Sequence, residues 1–171
     1  MSDVLNVGVA ELKISTNSAI LASFGLGSCV AVAMYDPLKK MGGLAHVMLP
    51  ESRGKDSLDL PGKFADTAVA RLLEEIEKQG ARRKNVRCKI VGGSQMFEIP
   101  GLRKSDSTEA GGQAASHIGA RNIAAVKEQL EVLAVPLVGE DTGGNYGRTV
   151  KFNTCTGEVE VSSIYHGRTL L

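Results

Sequence analysis

The stretch GLGSCVAVAMYDPLKKMGGLAHVML, residues 25–49, decides how the chain is laid out. Gly25 and Gly27 mark a tight turn, with the apolar runs SAILASF (18–24) before it and VAVAMY (30–35) after it reading as two buried strands. Asp36-Pro37-Leu38-Lys39 then reads as a second turn: Asp accepts a backbone hydrogen bond and Pro presets φ at the second turn position. LAHVML (44–49) resumes an apolar strand, so a β-hairpin is expected. With 36–39 as its loop, Tyr35 faces Lys40 and Cys29 faces His46, and a register shift or bulge would move that pairing by a residue or two.

Outward from this hairpin the pattern alternates between strand and helix. Residues 52–62 are polar and loop-like; Phe64, Ala68, Leu72 and Ile76 then recur at helical spacing, and Gly80 supplies a C-terminal stop. Residues 85–91 read as a strand with Val86, Cys88 and Ile90 on one face, which makes Cys88 a core residue. The segment EIPGLRKSDSTEAGGQAAS (98–116) has no clear period and is expected to be one long mobile loop, over about 99–116, rather than a domain boundary. A second helix is expected over 120–134 with Ile123, Val126, Leu130 and Leu133 inward, then a strand at 136–138 and a break at Asp141-Thr142-Gly143-Gly144-Asn145. The last part, RTVKFNTCTGEVEVSSI (148–164), alternates around a turn at 154–157, where Gly157 suits a left-handed position and Cys155 is a turn residue.

Composition narrows the function classes. The 171 residues are 43% hydrophobic and 23% charged, as for one soluble domain spanning 1–171. Twenty Lys and Arg against 19 Asp and Glu leave a net charge of +1, which gives no footprint for nucleic acid or an anionic membrane. No run is long enough to insert in a membrane, and the N-terminus lacks the basic and apolar regions of a signal peptide, so a cytoplasmic chain is expected. Cys29, Cys88 and Cys155 are odd in number and widely spaced, against both a disulfide framework and a zinc site.

Cys29 therefore stands on its own chemistry. A cysteine is most often a small buried residue. One placed directly after two glycines has backbone amides to hold an oxyanion and open space for a substrate; Gly27 and Ser28 supply that backbone. A lone histidine in an apolar strand is more often structural, but His46 and Cys29 have a geometric reason to meet, and a Cys–His pair is the leading reading. A third group is then needed to fix the imidazole tautomer, and Ser23, on the strand entering the turn, is the nearest hydroxyl. A phosphate cradle is the rival reading, but Val30 replaces the third glycine of GxGxxG and no Lys-Ser/Thr follows. Gly92-Gly93-Ser94-Gln95 and the 142–145 run read as tight turns that can also line a cleft, and His117 and His166 as surface residues.

The chain resembles the CheD family of bacterial and archaeal chemotaxis proteins, in the blocks GLGSCVAVAMYDP (25–37), GGLAHVMLP (42–50), PGKFADTAV (61–69), VGGSQMF (91–97), IGARN (118–122) and EDTGGNYGR (140–148). The resemblance implies a cysteine amidohydrolase that converts chemoreceptor glutamines to glutamates without metal or organic cofactor. It implies a nucleophile at Cys29, a base at His46 and a third member, usually threonine, at Ser23; serine keeps the hydroxyl and loses the methyl that restricts its rotamer. It also implies an α/β (α+β) layered sandwich of mixed and antiparallel sheets flanked by two main helices, similar to the catalytic domains of the cytotoxic necrotizing factors. The implied partners are the cytoplasmic helices of chemoreceptors and a CheC-type phosphatase, and the alternative role is a regulatory partner of that phosphatase with little catalysis of its own. The loop after Ile99 is longer than the family pattern suggests.

Overall fold

The hairpin at the centre of the chain forms, with its turn one residue later than the sequence suggests. In the computed structural model, which describes residues 3–55, 59–96 and 117–171, β4 (Val30–Asp36) pairs antiparallel with β5 (Met41–Val47). Asp36 stays in the ladder opposite Met41 because its buried side chain closes the turn: Oδ1 accepts the N–H groups of Leu38 (2.9 Å) and Lys39 (3.1 Å), and Oδ2 that of Arg82 (2.9 Å). Lys40, at φ +53°, takes the last turn position instead of pairing with Tyr35. The register expected from sequence is therefore displaced by two residues, and His46 faces Ala31 rather than Cys29. Cys29 precedes the ladder by one residue, on the crossover turn, and packs against the same core between the sheets that Ala31 enters.

Among the described residues, two five-stranded sheets form. One runs β1 (Asp3–Asn6), β3 (Ala19–Leu26), β8 (Arg148–Asn153), β9 (Val159–Ser163), β10 (Gly167–Leu170) in spatial order; the other runs β2 (Leu12–Ser15), β5, β4, β6 (Arg87–Gly92), β7 (Leu137–Thr142). Both are mixed, since β1 runs parallel to β3 and β6 parallel to β7 while the other pairings are antiparallel. The helices α1 (Ala65–Lys78) and α2 (Ile118–Val132) cover the outer face of the second sheet, which gives three layers. The middle layer explains why β4 is apolar throughout. Val30, Val32 and Met34 enter the core under the helices, and Ala31 and Ala33 enter the core between the sheets.

On β5 the same demand is met by glycines. A Cβ on Gly42 would stand 2.9 Å from the Phe152 ring, and one on Gly43 would stand 2.7 Å from Leu72 of α1, so both neighbouring layers close onto this strand.

The strands flanking Gly25 and Gly27 are not partners, although a tight turn does join them. β3 belongs to the first sheet and β4 to the second, so the turn at 27–29 is where the chain crosses between layers. The two helices and β6 lie within a few residues of their expected positions, with Cys88 fully buried under the helices. Gly157 has φ +77° and Cys155 lies in the turn before it, as expected. The strands β1, β2 and β10 carry no strong period and were not legible. The loop expected over about 99–116 lies outside the described residues. Among the described residues, no helix is long and apolar enough to cross a membrane.

Candidate functional site

Cys29 sits half-buried on the crossover turn, and His46 is buried on β5 with 2% of its surface exposed. The loop from β1 to β2 wraps His46. The His46 N–H donates to Glu11 O (2.9 Å), His46 O accepts the Ala10 N–H (3.0 Å), and the ring nitrogen Nδ1 lies 3.2 Å from Val7 O. A carbonyl only accepts, so the last contact requires the Nδ1–H tautomer and leaves Nε2 with its lone pair free to take a proton.

Ser23 is fully buried on β3, and its hydroxyl donates to the same Val7 O at 2.8 Å. Serine and imidazole thus converge on one carbonyl, whose two lone pairs serve both. Sequence reasoning had no means of finding Val7, because the group that matters is main chain.

Burial pushes the Cys29 thiol up, and its own backbone N–H opposes this only in part. Burial likewise pushes His46 below the ordinary histidine value, against the opposing pull of the Val7 carbonyl and the Glu11 carboxylate. Both shifts favour the uncharged forms, a thiol at Cys29 and a neutral imidazole at His46. Cys88, in the apolar core, is pushed far above the range of a reactive thiol.

The turn itself is held from behind. Gly27 O accepts the Ser94 N–H and Cys29 O the Gly93 N–H, both at 2.8 Å, while Ser28 O accepts from Asn122 Nδ2 at 2.9 Å. The Gly92-Gly93-Ser94 motif, legible only as a turn, thus braces the turn that carries Cys29. The 141–148 segment braces Ser94 in its turn. Arg148, with 1% of its side chain exposed, pairs with Asp141 (3.0 Å), donates to Ser94 Oγ and Gly143 O (2.7 Å each), and packs over the Tyr146 ring. Asn122 precedes Val126 and Leu130 at four-residue intervals, and a polar side chain on that inward stripe is the signal by which the sequence marks it.

Beside the turn, a cavity of about 800 Å³ is lined by Gly25, Met96, Tyr146, Thr149, Tyr165 and His166, among others. Met96 connects it to the turn by packing over Gly27. His166 is exposed as expected but stacks on Tyr146, with ring centroids 3.7 Å apart. Among the described residues, no cluster of His, Cys, Asp or Glu is arranged to hold a metal ion.

This architecture can be set beside known proteins. The family model for CheD chemotactic sensory transduction matches residues 48–163, a segment that begins just after His46. Relatives extend the similarity across the Cys29 and His46 region. The chain is 44% identical to the chemoreceptor glutamine deamidase CheD of Thermotoga maritima over 96% of its own length and 94% of the relative's. It is 43% identical to a probable chemoreceptor glutamine deamidase CheD of Caldanaerobacter subterraneus, covering 97% of this chain and 96% of the relative. A protein of the same description from Clostridium novyi is 42% identical, with 96% of each chain covered. With one family model matching most of its length and these relatives aligned nearly end to end, the chain belongs to the CheD family.

Proposed function

We propose that the chain is a protein-glutamine deamidase acting on the cytoplasmic helices of chemoreceptors, with Cys29 as nucleophile and His46 as general base and acid. The observation that supports this reading is the contact of His46 Nδ1 with Val7 O, which leaves the Nε2 lone pair available for proton transfer, with Cys29 two residues before Ala31, the residue that faces His46. Similarity to relatives described as chemoreceptor glutamine deamidases supports the substrate class.

The mechanism begins with both groups neutral. As the Cys29 sulfur attacks the carboxamide carbon of a glutamine side chain, its proton passes to His46 Nε2, and the backbone amides of the Gly27-Ser28-Cys29 turn receive the oxyanion. The imidazolium then gives its proton to the departing nitrogen; the C–N bond breaks and ammonia leaves a thioester on Cys29. Water attacks the thioester carbon while His46 takes one of its protons, and collapse releases glutamate and returns the proton to sulfur. Ser23 contributes through Val7 O, the acceptor it shares with the imidazole. The new carboxylate changes the charge pattern of the receptor helix surface.

The test is peptide mapping by mass spectrometry of a receptor cytoplasmic fragment incubated with the wild type or with Cys29→Ala. Glutamine-to-glutamate conversion by the wild type alone is the expected result. Equal conversion by Cys29→Ala would overturn the nucleophile, and no conversion by either folded protein would favour a role as partner of a CheC-type phosphatase.

A further inference from the structure

Asn122 touches neither Cys29 nor His46, yet it binds the backbone beside each of them. Its Nδ2 donates to Ser28 O at 2.9 Å and to Met48 O at 3.0 Å. Ser28 immediately precedes Cys29, and Met48 lies two residues past His46. One amide group therefore joins the turn that carries the thiol to the end of the strand that carries the imidazole. Because both acceptors are carbonyls, the amide has a single possible orientation, nitrogen toward the two oxygens.

That orientation leaves Oδ1 buried and without a hydrogen-bond partner among the described residues, although Asn122 is fully buried. An orphan acceptor costs stability, and leucine would fill the same helix position without it. Packing therefore does not account for the asparagine, whereas its two donations do.

The seating of α2 has the same logic. One turn before Asn122, a Cβ on Gly119 would stand 2.5 Å from both Gly93 O and Ser94 O, so only glycine lets the helix approach the brace this closely. Ile123, next to Asn122, packs directly on Gly93, where φ is +70°. Gly119, Asn122 and Ile123 form one face, pressed against the back of the nucleophile turn.

We infer that Asn122 is a positioning residue, whose carboxamide holds Cys29 in register with His46 by bonding the carbonyls of Ser28 and Met48. The inference rests on the reading of Cys29 and His46 as the reacting pair. It separates the three bonds that brace the turn: those from Gly93 and Ser94 fix the turn to β6, and the bond from Asn122 fixes it to the base strand.

The experiment measures alkylation of Cys29 by iodoacetamide across pH, read by peptide mass mapping so that Cys88 and Cys155 are scored separately. Four proteins are compared: wild type, His46→Ala, Asn122→Ala and the double variant, each shown to be folded by its thermal melt. Each single substitution is expected to slow Cys29 about tenfold or more, with the double variant no slower than His46→Ala, because the amide acts through the imidazole. Asn122→Ala is also expected to lose the inflection that His46 imposes on the pH profile. Additive losses, or a wild-type rate and profile in Asn122→Ala, would overturn the inference. Loss in His46→Ala with none in Asn122→Ala would remove the clamp and leave the pair standing, whereas an unchanged His46→Ala would remove both. If Asn122→Ala does not fold, Asn122→Ser replaces it, and its single short donor is expected to give the same loss of inflection.

Discussion

In the proposed mechanism the imidazole of His46 is the group on which the chemistry depends most narrowly. Its burial favours the neutral ring, so the folded chain binds that proton less readily than the unfolded chain does. The stability this group contributes is therefore full above about pH 6.5, the unfolded value, and is lost as the pH falls from there through the lower folded value. Activity has the same sign: the acid limb of kcat/KM is expected below about pH 6.5, and a pH–rate profile with its limb above that point would show that the ring is more easily protonated than its burial implies. A second expectation follows from the shared Val7 acceptor. Ser23→Ala leaves the Nδ1 contact in place and is expected to lower kcat about tenfold or less, whereas His46→Ala removes proton transfer and is expected to cost about 10²–10⁴-fold. Steady-state deamidation of a receptor fragment by the two variants checks this order, and equal losses would mean that the hydroxyl acts on the ring more directly.

Among the elements, the joints between strands carry more of the site than the strands do. Arg148 at the start of β8 ties the 141–147 segment to Ser94, whose N–H in turn holds Gly27 O. Arg148→Ala would strand Asp141, and the expected destabilisation is about 3 kcal/mol, the low end for a broken buried pair, because the Asp141 side chain keeps 25% of its surface in solvent. Urea unfolding of the variant measures it. Such joints also mark the limit of what the sequence discloses. The helices α1 and α2 and the doubly buried β4 were legible because their patterns are local, with apolar residues at helical spacing or in an unbroken run. The β4–β5 register was legible to within two residues, and the error came from Asp36, whose side chain serves the turn while its backbone stays in the ladder. What could not be read was long-range. Nothing in 18–35 says that β3 and β4 part into different sheets, and nothing in residue 7 says that its carbonyl will meet His46.

Across the whole molecule, the proposed site occupies the seam between the two sheets. His46 belongs to the middle layer, Cys29 to the turn that crosses into it, Ser23 to the outer sheet, and Val7 follows the edge strand β1. The core between the sheets, built from Leu21, Leu26, Ala31, Leu44 and Phe152, is thus also the packing on which the proposed site rests. The pairing of β3 carries a consequence in time. Its second neighbour is β8, with Ile20 opposite Asn153 and Ser23 opposite Val150, so the strand that carries Ser23 cannot complete its sheet until the last quarter of the chain is in place. Helix formation and the β4–β5 hairpin are local and fast, while this closure spans most of the sequence and is slow. Until that closure the strand that carries Ser23 lacks its partner β8, while the β4–β5 hairpin that carries His46 forms without it. In a refolding time course, hydrogen-exchange protection of residues 20–23 should appear with the slowest phase rather than with the recovery of helical circular dichroism; simultaneous recovery would mean that β3 and β8 pair as early as the helices form.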